Sequence, residues 1–157
     1  MKLFDPGVYD IEVARLLQAI TPPMPHTVWG VRILPAMVHR RMAAGLLDVT
    51  PYAAKRLGAR DMIAWREYHI RRIAYLAMSG WRDAIELDFG VPSLGYYNTN
   101  PVIDGNHRLC ASIIRKDATI RAWVGGQISY ASELLGFHYQ EAEEENQVTA
   151  QTAQCGT

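Results

Sequence analysis

The chain has 157 residues, enough for one domain with its own hydrophobic core and too few for two ordinary ones. Its 16 Lys and Arg balance 16 Asp and Glu, so net charge points to no particular partner. No run approaches the ~18 apolar residues of a membrane-spanning helix, and Met1-Lys2-Leu3-Phe4-Asp5-Pro6 lacks a signal peptide's apolar core, which predicts a soluble, cytoplasmic protein with no membrane partner. The two cysteines, Cys110 and Cys155, form no CxxC or Cys/His cluster, and neither a disulfide framework nor a zinc site is expected.

The zero net charge hides an asymmetry. Glu141, Glu143, Glu144 and Glu145 lie in a terminal segment without Lys or Arg, while the body carries Arg32, Arg40, Arg41, Lys55, Arg56, Arg60, Arg66, Arg71, Arg72 and Arg82 against Asp48, Asp61 and Glu67 over the same stretch. Such an excess suits a polyanion, a nucleotide or a nucleic acid, and equally suits a solvated helical surface with ordinary ion pairs.

In chain order, Asp10 to Ile20 places Val13, Leu16, Leu17 and Ile20 on one helical face, and Thr21-Pro22-Pro23-Met24-Pro25 stops that helix. Thr27 to Leu34 is rich in strand formers, and Pro35 to Leu47 reads as a helix. Thr50-Pro51 resembles a helix start, with Gly58 as its end. Ala59 to Ser79 is the longest periodic segment, with Met62, Trp65, Ile73 and Leu76 at helical spacing and Glu67 four residues before Arg71.

Gly80 ends that helix, and Ala84 to Phe89 alternates apolar and acidic residues as a half-buried strand does, with Ile85, Leu87 and Phe89 inward. Val91 to Asn100 reads as a hairpin-like return into a strand ending at Val102-Ile103. Asn106 to Lys116 reads as a helix with Leu109 and Ile113 inward, Thr119 to Val124 as a strand closed by Gly125-Gly126, and Ser129 to Phe137 as a final helix. The segment from Glu141 to Thr157 has no apolar periodicity and reads as a flexible acidic tail. This order predicts a mixed α+β layer fold, divided into a helical N-terminal elaboration (1–58), a core domain (59–140) and the tail (141–157).

The chemistry concentrates at Asp104-Gly105-Asn106-His107-Arg108. An apolar strand running into Asp-Gly and directly into a helix leaves backbone amides unpaired beside a glycine that permits close approach. The helix dipole, those amides and the Arg108 cation would act on the same phosphate oxygens, with His107 as a donor or proton carrier. Asp104, of opposite sign, suits a cation ligand, a general base or a brace for the turn. The competing structural account is a tight turn in which Asn106 caps the helix and Arg108 pairs with a carboxylate. Glu86 and Asp88, outward on their strand, offer a catalytic carboxylate or simply solvate an edge.

Val102-Ile103-Asp104-Gly105-Asn106-His107-Arg108-Leu109, followed by Ala111, resembles the turn-and-helix motif of the ParB/sulfiredoxin-like superfamily. The resemblance spans roughly Ile70 to Gly126. It implies a small mixed sheet packed with helices and nucleotide binding at the turn, in a superfamily that includes CTP-dependent partition proteins, sulfinic-acid reductases, a free-serine kinase and DNA nucleases. It carries over Gly105, His107 and Arg108 as phosphate contacts, with His69, Arg71 and Arg72 of the preceding helix behind them.

Two departures narrow the implied function. The reductases need a cysteine where this chain has Asn106, and the partition proteins' arginine pair is replaced by His107-Arg108. The expectation is a nucleotide-binding protein of the phosphoryl-transfer or NTP-hydrolysing type. Gly105, Asn106, His107 and Arg108 would cradle the phosphates, Arg71 or Arg72 would add charge, His107 would donate or carry a proton, and Asp104 or Glu86 would hold Mg²⁺ or activate the nucleophile beside ATP or another nucleotide. The alternatives are a DNA nuclease using the same site and a non-catalytic regulator that binds a protein or nucleic acid. Cys110 reads as a small core residue, His26, His39 and His138 show no metal-ligand spacing, and Trp29, Trp65, Trp81 and Trp123 read as core or edge aromatics, with Trp81 beside Arg82 expected near the proposed site.

Overall fold

The computed structural model of the chain describes residues 7–52 and 61–140. Lys55, Arg56, Gly58, Arg60 and the expected tail from Glu141 onward therefore lie outside the described residues.

The architecture is α+β. Strand β1 (Val8–Glu12) leads into helix α1 (Val13–Ala19), then come α2 (Pro35–Ala44), α3 (Met62–Ser79), β2 (Ile85–Asp88), the short hairpin β3 (Gly90–Val91) and β4 (Tyr96–Tyr97), β5 (Val102–Asp104), α4 (Asn106–Arg115), β6 (Thr119–Gly125) and α5 (Ile128–Leu135). The main sheet has the order β1-β6-β2-β5, with β2 parallel to β6 and the other neighbours antiparallel.

Two sequence expectations need correction. Asp10 to Glu12 is not the start of a helix but the end of β1, where Ile11 pairs with Ile120 and Asp10 with Arg121. The alternation of β1 is short, and its partner lies more than a hundred residues away, so local periodicity favoured the helix that follows it. The N-terminal 1–58 region is accordingly not purely helical, since β1 forms an edge of the sheet. Thr27 to Leu34 is a loop with one isolated bridge, His26 to Arg32, because a turn at Gly30 (φ 74°) interrupts the extended run.

The remaining elements follow the sequence closely. Pro35 opens α2, and Gly45 ends it in the left-handed conformation. Asp61 caps α3 by accepting from the Ala64 amide at 3.0 Å. One core fills the space between the sheet and helices α1 and α5, around Ile11, Leu16, Ile85, Leu87, Ile120 and Leu135. A second joins α2, α3 and α4 around Val38, Ile70, Ile73, Cys110 and Ile114. Helix α4 belongs to both, with Leu109 in the first core and Cys110, Ala111 and Ile114 in the second. Its N-terminus is thereby fixed relative to sheet and helices alike.

Candidate functional site

Strand β5 ends at Asp104, and Gly105 (φ 94°) turns the chain into α4. A Cβ at Gly105 would stand 2.5 Å from Ile85 Cγ2, so the glycine is required first by packing against β2. Gly105 also offers no side-chain cap, which leaves the first amides of α4 without the acceptor a Ser or Asp would provide.

That N-terminus forms one wall of an open cleft of about 660 Å³. Gly105, Asn106, His107 and Arg108 line it together with Asp104, Asp83 and Asn100, while Arg72 and Leu76 come from α3 and Trp29, Tyr52 and Trp81 supply ring surface. The motif expected from the sequence and one of the two expected α3 cations thus share a single cavity. Arg71 does not line it. Its Nε lies 2.7 Å from Glu67, which also holds Arg41 in a two-pronged pair at 2.7 and 2.9 Å, and this cluster keeps Glu67 lowered to about 2, chiefly through the Arg41 hydrogen bond. Arg72 instead donates to the Val49 carbonyl at 2.9 Å beside the cleft.

Arg108 is tied into the protein. Its Nη1 donates to the carbonyls of Asp83 at 2.9 Å and Ala84 at 2.7 Å, and its Nη2 donates to Asp104 Oδ2 at 2.8 Å. The carboxylate pairing foreseen in the structural account of the turn is present, and it coexists with the arginine's position on the cleft wall. Glu86 is the register partner of Asp104 across β2 and β5, so both carboxylates project from the exposed sheet face, but only Asp104 lines the cleft. Among the described residues no group of three or more His, Cys, Asp or Glu side chains is placed to hold a metal ion.

The feature least visible in the sequence is the back of the cleft. His69 Nδ1 and His107 Nε2 lie 2.8 Å apart, and Trp29 stacks on both rings at 4.2 Å between centroids. Trp65 stands edge-on to His69 and anchors the Trp29 loop by donating from its indole nitrogen to the Trp29 carbonyl at 3.0 Å. Burial holds His69 down at about 4, and burial together with the charges of His69, Arg72 and Arg108 holds His107 down at about 3. Tyr68 donates to the Thr50 carbonyl at 2.9 Å, which secures the segment that carries Tyr52.

The sequence flagged His69 only through the family resemblance, as a phosphate contact, whereas the structure buries it completely behind His107. Its Trp65-x-x-Tyr68-His69 setting on the buried side of α3 was the available signal. Trp29 and Tyr52 carried none, since both lie far from the motif in sequence. Cys110 is buried in the helical core with its thiol pushed up to about 12, as befits a small core residue. No described helix is long and apolar enough to cross a membrane. No family model, curated protein or solved structure matches this chain.

Proposed function

We propose that the cleft binds a nucleotide through its phosphates and that the chain is a ParB/sulfiredoxin-like protein acting in phosphoryl transfer or NTP hydrolysis. One observation carries the reading: a single cavity combines the uncapped N-terminus of α4, the Arg72 side chain and the rings of Trp29, Tyr52 and Trp81. Helix amides and an arginine suit phosphate oxygens, and aromatic surface in the same cavity suits a base. The order α3, β2, β5, α4, β6 around the Gly105 turn supports the family reading over Ile70 to Gly126.

Asp104 and Asp83 are the carboxylates lining the cleft, and the Asp104 side chain is 66% exposed. Such a sparse set fits Mg²⁺ held mainly by phosphate oxygens and water, with Asp104 as its protein ligand. The ion would neutralise charge on the phosphates. Arg108 would brace Asp104 and the turn and add positive charge to the same wall.

The Asp104 to Arg108 ion pair also favours a second reading, a non-catalytic regulator that binds the nucleotide without turning it over, because the nearest candidate base is already engaged. Thermal-shift screening with ATP, ADP, CTP and GTP, with and without Mg²⁺, tests the shared claim. A ligand-specific rise in melting temperature supports it, and no rise with any of the four overturns it. Phosphate release under the same conditions separates enzyme from regulator.

A further inference from the structure

His69 and His107 come from different helices and meet behind the cleft with His69 Nδ1 facing His107 Nε2 at 2.8 Å. The Trp29 ring lies against both, so neither imidazole turns without disturbing the stack. A hydrogen bond between two neutral imidazoles needs one N–H and one bare nitrogen, which leaves two proton arrangements. In the first, His69 donates from Nδ1, its Nε2 is bare, and His107 carries its own proton on Nδ1. In the second, His107 donates from Nε2, His69 carries its proton on Nε2, and His107 Nδ1 is bare.

His69 Nε2 decides between them. It is buried and has no hydrogen-bond partner among the described residues. A buried N–H without a partner is rarer in folded proteins than an acceptor left under-satisfied, which favours the arrangement with Nε2 bare. His107 then presents an N–H at Nδ1, the one ring nitrogen that His69 does not occupy, and His107 lines the cleft. Burial opposes a charged imidazole at both rings, and His69, Arg72 and Arg108 add to it at His107, in keeping with the depressed values of about 4 for His69 and about 3 for His107.

We infer that His69 is a positioning residue for this cleft: its Nδ1–H···Nε2 hydrogen bond fixes His107 as the Nδ1–H tautomer, an uncharged donor for an oxygen of the anionic group bound at the N-terminus of α4. The identity of that acceptor rests on the phosphate reading of the cleft. The tautomer rests on the histidine geometry alone.

Long-range proton–nitrogen NMR spectra of the ¹⁵N-labelled full chain at pH 7 test the tautomer directly. Both rings should be protonated on Nδ1 and bare on Nε2, and a proton on His107 Nε2, or a charged ring, overturns the inference. Titration with ATP tests the consequence. His69→Asn keeps a donor at the Nδ1 position and should bind within about twofold of the native chain, whereas His69→Phe keeps an aromatic ring without the donor and should bind about fivefold or more weakly. Equal affinity of His69→Phe and the native chain overturns the positioning role. If ATP binds none of these proteins, the ATP reading of the cleft fails, and the tautomer measurement on the native chain alone decides the inference.

Discussion

The Arg108 guanidinium lies 2.8 Å from the Asp104 carboxylate and grips the carbonyls of Asp83 and Ala84 with its other arm, so one side chain joins the first turn of α4 to the end of β5 and the entry to β2. Its side chain is only 16% exposed. Arg108→Ala should therefore lower stability by about 1–3 kcal/mol in urea unfolding, besides any effect on ligand binding. Arg108→Lys should recover less than half of that loss, because one ammonium cannot span the carboxylate and both carbonyls. Unchanged unfolding midpoints would show that the brace contributes nothing.

Gly105 tests the turn from the other side. Any side chain there meets Ile85 at the base of β2 and adopts a backbone conformation (φ 94°) that L residues disfavour. Gly105→Ala should be destabilised by more than about 2 kcal/mol by the same measurement, the sum of strain and overpacking. Native-like stability would mean that the turn is not held against β2.

Arg71 and Arg72 are neighbours in sequence with different surroundings, and they make an internal control for charge. Arg72→Ala should weaken nucleotide binding about tenfold, since it removes a cation from the cleft wall. Arg71→Ala should change binding less than about twofold, because that side chain serves Glu67. Calorimetric titration of both variants checks this, and equal losses would reduce the site to general positive charge.

Acid should destabilise the protein in two stages. His69 and His107 are depressed in the fold to about 4 and about 3 from an ordinary 6.5, so the unfolded chain takes up protons first as pH falls below 6.5. Their contribution is complete above that value and is lost progressively down to the folded values. The loss between pH 7 and 5 should be on the order of 2 kcal/mol for each ring that stays neutral. Glu67, lowered to about 2 from 4.5, adds a second loss as pH falls from 4.5 towards 2. Chemical denaturation across pH 4–8 should show a shallower slope for His69→Asn between pH 7 and 5, and Glu67→Gln should leave that interval unchanged.

Which features were legible in the sequence follows from how locally each is encoded. The helical spacing of Met62, Trp65, Ile73 and Leu76, the Ile85 to Phe89 alternation and Gly105 ahead of Asn106 are signals carried by nearby residues, and α3, β2 and the α4 turn appear where those signals put them. The strand β1 was not legible because it depends on pairing Ile11 with Ile120, and Thr27 to Leu34 misled because its β-branched residues surround a turn. The same division runs through the site. Asp104 to Arg108 and the Glu67 to Arg71 spacing announce themselves, but the Arg41 to Glu67 pair, the Trp29 stack and the His69 to His107 contact join residues dispersed along the chain, and only the packing of α3 on α4 brings the two histidines together.

The central claim is that the N-terminus of α4 receives phosphate. The most direct test follows the backbone amide resonances of Asn106, His107 and Arg108 while ATP, ADP, CTP and GTP are titrated in turn with Mg²⁺. The account predicts that at least one nucleotide shifts these three amides in a saturable manner, together with the indole resonances of Trp29 or Trp81, and leaves in place the indole of Trp123, which does not line the cleft. Amides at Asn106 to Arg108 that stay unmoved at saturating concentrations of all four would contradict it.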